Sequence, residues 1–583
     1  MSVLPVSLQP LAASMFHWSV IRKVSRFAIL LLLSCLGWAC APQSGADYDL
    51  LITNGTVYDG SGGEPFVADI AVVEDRIVAI GQLDAVAKTV LDASGHAVAP
   101  GFINMLSWAN ESLMIDGRSQ GDIRQGVTLE VLGEGRSDGP LNEAMRRSAL
   151  ESGAYGGADI SWTTLGEYLE ALVDRGVATN VASFVGATTV RVHELGYEDR
   201  EPETQELERM KALVREAMEE GAMGISSALI YAPAFYASTE ELIALAKVAG
   251  EYDGLYISHL RSEGNRLLEA VGELIRIATE GELAAEIYHL KMAGQQNWDK
   301  FDAVVSKVEA ARQQGLEITA NMYTYTAGST GLNAAMPPWV QEGGYQAWRQ
   351  RLMDPEVRAQ VLKEMTTPTD DWENLWLAAG TDSTLLVGFN NPDLRHYTGM
   401  SLDAVAAERG SSDADTIIDL VIADGSRVQA VYFMMSEENV ARGIALPWVS
   451  FGSDAASMTN EGVFLERSTH PRAYGNFARV LGKYVRDDQV ISLAEAIRKL
   501  SKLPASNLKI RDRGELVVGN FADIVIFDPA NVTDHATYAA PHQYATGMEH
   551  VIVNGELVLY QGEHTGALPG QVVRGPGWRG WTE

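Results

Sequence analysis

Four side chains are placed for metal-assisted chemistry: His259 in "YISHL", His289 in "YHLKM", Glu134 in "GEG" and Asp454 in "FGSD". None of the 11 histidines is separated from another by a single residue, so no His-x-His pair exists. A catalytic zinc takes three protein donors and leaves a position for water, and imidazole and carboxylate serve where thiolate is absent. Both cysteines, Cys35 and Cys40, fall in the N-terminal apolar segment, which excludes a thiolate site or a disulfide framework in the body of the chain. His259 and His289 close consecutive apolar strands. Either alone reads as a core histidine satisfied by hydrogen bonds; as a pair at equivalent strand ends they read as metal ligands. Glu134, in a Gly-flanked turn straight after an apolar strand, reads as a third ligand or as a solvated carboxylate. Asp454 ends a buried strand, where an unpaired carboxylate is costly. It is either a hydrogen-bonded structural group or a general base beside an activated water.

The elements that position these residues follow from hydrophobic period. "ETQELERMKALVREAMEEG" has helical spacing and leads into "AMGISSAL"; "TEELIALAKVAGEYDG" leads into "LYISHL". "NRLLEAVGELIRIATEG" leads into "AAEIYHLKM", and "FDAVVSKVEAARQQG" into "EITANMYTYTA". Successive helix-Gly-strand units imply a parallel sheet, and a β/α barrel is the expected closure at this length. His259, His289, Tyr323 and Asp454 then sit at strand ends, where barrels carry their chemistry. Both ends of the chain instead show short alternating strands with Asn-Gly turns, "DLLITNGTVYDG" near the start and "HVIVNGELVLYQG" near the finish, which predicts one small β domain built from both termini. The expected organisation is a signal segment over 1–40, β-sandwich over 47–99, barrel over 100–505, and β-sandwich again over 506–583. Aromatic-rich sequence near 333–430 reads as an insertion or lid over the barrel mouth.

The formal charge of −32 gives no electropositive footprint, so nucleic acid is excluded as a partner. Arg22, Lys23 and Arg26 precede the apolar run "FAILLLLSCLGWAC", the pattern of an export signal too short to span a membrane. A cysteine after such a run, Cys35 or Cys40, matches a lipoprotein cleavage site. The expectation is an exported, periplasmic protein that meets the membrane only through a lipid anchor.

These residues together resemble the amidohydrolase superfamily and, within it, the N-acyl-D-amino-acid deacylases. The shared segments include "APGFI", "QGVTLEVLGEG", "GAMGISSALIYAPAFYASTEEL", "YISHLRSEG", "YHLKMAG", "YTYTAGST", "GSD" and "HPRAYGNFARVLGKY". The resemblance implies a distorted (β/α)8 barrel beside a β-sandwich formed by both chain ends. It implies one zinc per chain, held by His259, His289 and Glu134, the last standing where the family has a cysteine. It implies Asp454 as general base, and Lys291, Tyr323, Ser329 and Arg472 as the grip on a substrate α-carboxylate. The family's second, weaker metal site uses a His-x-His motif, which here has become Leu106 and Trp108 in "APGFINMLSWANES". That site is expected to be absent, its space filled by the apolar bulk of the two residues.

The implied activity is hydrolysis of N-acyl amino acids, of D configuration, to a carboxylate and a free amino acid. A peptidase acting on short peptides or a cyclic-amide hydrolase is an alternative of the same class. A non-catalytic periplasmic binding protein descended from such an enzyme is an alternative of another class, against which the retention of Asp454 weighs.

Overall fold

Eight short apolar runs form parallel strands around one axis: β1 Phe102–Asn104, β2 Val127–Leu132, β3 Asn180–Ser183 continued by Val185–Gly186, β4 Gly224–Ala228, β5 Leu255–His259, β6 Ala285–Ile287, β7 Ile318–Met322 and β8 Val449–Phe451. Nearly every residue in them is buried, as expected for strands covered on both faces. β1, β2 and the first half of β3 pair in that order, and the second half of β3 pairs onward through β4, β5, β6, β7 and β8. The ring closes between β8 and β1, where Met105 N donates to Phe451 O at 3.1 Å and Asp454 N to Leu106 O at 2.9 Å. Asn104 fastens this seam, its Oδ1 accepting from Ser453 N and its Nδ2 donating to Ser453 Oγ, both at 2.8 Å.

The computed structural model describes residues 47–581. The export segment expected over 1–40, with Cys35 and Cys40, lies outside the described residues. Among those described, no helix is long and apolar enough to cross a membrane.

Helices Thr204–Glu219, Thr239–Gly250, Leu267–Gly281 and Phe301–Gln313 fall on the four stretches of helical spacing and bury their apolar faces against the strands. Ser238 caps the second of them, its Oγ accepting from Glu241 N at 3.2 Å. Alternate strand residues point inward instead, and Ile103, Leu129, Val131, Phe184, Ile257 and Tyr288 fill the ring as a packed core.

Both chain ends meet in one sheet with its own apolar core. Tyr48–Val57 and Ala97–Pro100 from the start lie beside Ile524–Phe527 and Met548–Val553 from the finish. The last residues depart from the β-sandwich expected over 506–583. Val177 pairs with Pro569 and Val181 with Val572, and Gly575 N donates to Gly221 O at 2.8 Å, so the tail runs back along the barrel. Its polar backbone finds partners there once the sheet ends at His564.

Between β7 and β8 the chain builds a further apolar cluster from helices and a three-stranded antiparallel sheet, Ala327–Gly331, Thr384–Gly388 and Gln429–Phe433. It reaches the barrel rim through Glu373, whose Oε1 accepts from Ser262 Oγ and from the backbone N–H groups of Glu263 and Gly264, each at 2.6 Å.

Candidate functional site

Three strand ends converge on one point. Glu134 lies beyond β2 between Gly133 at φ +98° and Gly135 at φ +62°, a reversal that ordinary side chains rarely adopt. A Cβ at Gly135 would come 2.6 Å from that of Ala228 on β4, so only glycine lets the turn pack this close. His259 is the last residue of β5, and His289 follows β6 by two residues. His289 takes φ +35° and Asp454, three residues past β8, φ +50°. Left-handed backbone at non-glycine residues persists where surroundings impose it. At His289, Asn321 does so, its Oδ1 accepting from His289 N at 3.0 Å and its carbonyl from Leu290 N at 2.8 Å.

Glu134 Oε1 stands 2.9 Å from His289 Nε2 and 3.4 Å from His259 Nδ1. All three residues are buried, with one donor atom of each within 4.8 Å of the others. Two imidazoles and a carboxylate with converging atoms are a zinc donor set with room for a water. Burial and Lys291 push the His289 imidazole down, yet Glu263 and Glu134 outweigh them and lift it to about 9. Burial would raise Glu134, but the two histidines hold it far below the usual carboxylate range. His289 thus holds a proton against Glu134 at neutral pH, and a cation bound here would take that proton's place.

On the far side of the histidines lies Glu263, which sequence reasoning missed. Its Oε1 is 3.0 Å from His289 Nδ1 and its Oε2 3.5 Å from His259 Nε2, the ring nitrogens turned away from Glu134. One signal was available: Glu263 follows His259 by four residues in "SHLRSEG", close enough for the loop after β5 to return it to the site.

The expected carboxylate grip is assembled in part. The Arg472 guanidinium stacks over the Tyr323 ring at 4.4 Å and the Lys291 ammonium lies 5.6 Å from the same ring. Tyr323 Oη is buried with no hydrogen-bond partner among the described residues. Lys291 is engaged by Glu263 Oε1 at 2.7 Å, and Arg472 Nη1 pairs with Asp454 Oδ2 at 2.8 Å. Ser329 stands apart on the antiparallel sheet, donating from Oγ to Ala430 O at 3.0 Å. Its neighbour Gly328 lies against Tyr323, where a Cβ would come 3.3 Å from Oη.

Burial raises Asp454 above the usual aspartate value, with Glu134 adding to the effect and Arg472 opposing it. Such a carboxylate is a stronger base than one in water.

Leu106 and Trp108 do not both serve as apolar filler. Leu106 is 1% exposed within the barrel core, whereas Trp108 is 40% exposed and makes polar contacts. Its Nε1 donates to Glu134 Oε2 at 2.9 Å and to Asp454 Oδ1 at 3.1 Å. The indole carries a donor, and the buried Glu134 and the half-buried Asp454 take it up.

The amidohydrolase family profile matches residues 401–559. Over 528 residues, 90% of this chain and 97% of the relative, the sequence is 35% identical to a D-aminoacylase of Alcaligenes xylosoxydans xylosoxydans. Among solved structures, an N-acyl-D-glutamate deacylase from Bordetella bronchiseptica, complexed with zinc and a phosphonate mimic of the tetrahedral intermediate, superposes with a TM-score of 0.75 at 30% identity, covering 90% of this chain and 99% of that one. A D-aminoacylase with a binuclear metal centre, described by one-metal activation and second-metal attenuation, gives a TM-score of 0.75 at 32% identity, covering 90% and 100%.

Proposed function

The chain belongs to the D-aminoacylase family of amidohydrolases that act on linear amides, and on that premise we propose that it hydrolyses N-acyl amino acids of D configuration with one zinc ion on Glu134, His259 and His289. The observation that carries the reading is the convergence of Glu134 Oε1, His289 Nε2 and His259 Nδ1 beside Asp454, a base whose pKa burial has raised. When bound, zinc supplies a Lewis acid for the acyl carbonyl and lowers the pKa of water.

The remaining work falls to this chain's own side chains. Asp454 accepts a proton from the attacking water as the new C–O bond forms at the acyl carbon. It returns that proton to the departing nitrogen as the C–N bond breaks, so the products are a carboxylate and a free amino acid. Arg472, with its planar fork, takes the substrate α-carboxylate in two places, assisted by Tyr323 Oη and Lys291. The export signal expected over 1–40 puts this activity in the periplasm, tethered through Cys35 or Cys40.

Amine release from a panel of N-acetyl-D- and N-acetyl-L-amino acids and short peptides tests the proposal. D-substrates should be turned over by protein containing about one zinc per chain. Glu134→Ala should lose the metal, and Asp454→Asn should keep the metal but lose turnover. Zinc-loaded protein inert towards every amide, or an active Asp454→Asn variant, refutes the reading.

A further inference from the structure

A metal site that a family builds from a His-x-His pair can be lost in two ways. The hole can be plugged, or another group can take up the carboxylates that the lost cation would have met. The contacts of Trp108 separate these. Its indole ring stands at the second position of the absent motif, and its one N–H is shared between Glu134 Oε2 and Asp454 Oδ1 at 2.9 and 3.1 Å. Those two oxygens belong to a ligand of the expected zinc and to the expected base. They are the oxygens that neither the histidines, which face Glu134 Oε1, nor Arg472, which faces Asp454 Oδ2, have taken. A single neutral donor thus spans two carboxylates whose paired charge would otherwise be open to a second cation.

Charge balance points the same way. The groups in mutual contact at the site are three carboxylates (Glu134, Glu263 and Asp454) and two cations, Lys291 and Arg472. With both imidazoles neutral, as a bound cation requires, they carry one net negative charge. One divalent ion turns this into one net positive charge, which a substrate α-carboxylate neutralises. A second divalent ion would leave the occupied site strongly positive in surroundings of low dielectric, where uncompensated charge is costly.

We propose that Trp108 stands in for the second metal ion: its indole N–H ties Glu134 to Asp454, holds the base in place, and confines the site to a single ion. Trp108 is on this view a positioning residue. The inference rests on the reading that Glu134, His259 and His289 hold one zinc, and the test is arranged so that the two fail separately.

Wild type, Trp108→Phe, Trp108→Ala and the double variant Leu106→His/Trp108→His are dialysed against rising zinc, and bound metal is counted by elemental analysis. Wild type should saturate at about one zinc per chain and stay there, since one three-donor site is present. The double variant should take up a second ion, and Trp108→Ala should do so more weakly through the two freed carboxylate oxygens. Trp108→Phe keeps the ring and loses the donor. It should retain one zinc while kcat falls about ten- to a hundredfold, the usual cost of removing an outer partner, with KM little changed.

A second zinc on wild type overturns the proposal, as does a double variant that folds, by circular dichroism, yet still binds one. Trp108→Phe with wild-type kcat reduces Trp108 to a plug. Failure of wild type to bind any zinc, or retention of zinc by Glu134→Ala, instead refutes the underlying metal reading.

Discussion

Replacing Glu263 by glutamine, which keeps the side chain's volume and removes its charge, is expected to weaken zinc binding about a hundredfold, the upper end of the range for partners behind metal ligands. The carboxylate faces Nδ1 of His289 at 3.0 Å and Nε2 of His259 at 3.5 Å, so one group braces both imidazoles. Its charge lies against the two ring nitrogens turned away from Glu134, which favours protons there and leaves His289 Nε2 and His259 Nδ1 for a cation. An amide has a single acceptor oxygen, and its NH2 must then face an imidazole N–H or the Lys291 ammonium, which now sits 2.7 Å from Glu263 Oε1. A donor would meet a donor, and a buried ammonium would lose its counter-charge. Both losses fall on one residue, which sets the estimate at two decades, about 2.8 kcal/mol at 1.4 kcal/mol per tenfold. Competition with a chromophoric chelator measures the zinc dissociation constant directly. Thermal unfolding in excess zinc separates a weakened site from a damaged fold. A Glu263→Gln protein that binds zinc within twofold of wild type would refute the reasoning, because the histidines would then need no brace.

Two other perturbations address the substrate grip and the rim. Arg472→Lys, which replaces a planar fork by a point charge, should raise KM for N-acyl amino acids roughly tenfold or more, while leaving an N-acyl amine without a carboxylate unaffected; equal losses on both substrates would remove Arg472 from carboxylate binding. Glu373→Gln probes pH: burial, together with the charge of Glu263, raises Glu373 to about 7 against the bonds from Ser262 and the backbone. A carboxyl whose folded pKa is raised stabilises the fold below its ordinary value of 4.5, and that stability is lost as pH rises from there to about 7. The neutral glutamine has nothing to lose, so melting curves at about pH 5 and pH 8 should show wild type falling relative to the variant, and parallel behaviour would contradict the shift.

The barrel was legible in the sequence because its signal is repeated and local. Each of the four helical stretches ends near a glycine and runs into an apolar strand, and the structure places a helix and a strand on each. The same period brought His259 and His289 to neighbouring strand ends, which a reader can find without knowing what lies between them. Glu263 was harder, since its role depends on the loop after β5 folding back over both imidazoles. Glu373 was out of reach: it comes from the segment between β7 and β8, 110 residues from the backbone N–H of Glu263 that it accepts from. Trp108 was misjudged for a different reason. A tryptophan where a ligand is missing reads as bulk, and only the positions of Glu134 and Asp454 reveal that its N–H is the part in use.

Those positions also explain how three carboxylates can be buried around one centre. Glu263 divides its oxygens between the two histidines, with Lys291 beside Oε1. Glu134 gives Oε1 to the histidines, or to the ion between them, and Oε2 to Trp108. Asp454 gives Oδ1 to Trp108 and Oδ2 to Arg472. Each of the three carboxylates thus has a basic or N–H partner close by, which offsets the cost of taking its charge out of water. If a substrate α-carboxylate binds Arg472 as proposed, it competes with Asp454 for the same guanidinium. Arg472 engaged in that way would leave Asp454 Oδ2 without its counter-charge, which would raise the proton affinity of the base in low dielectric. Binding of the carboxylate and activation of the base are then one event, which places the recognition energy of a non-reacting group in the chemical step.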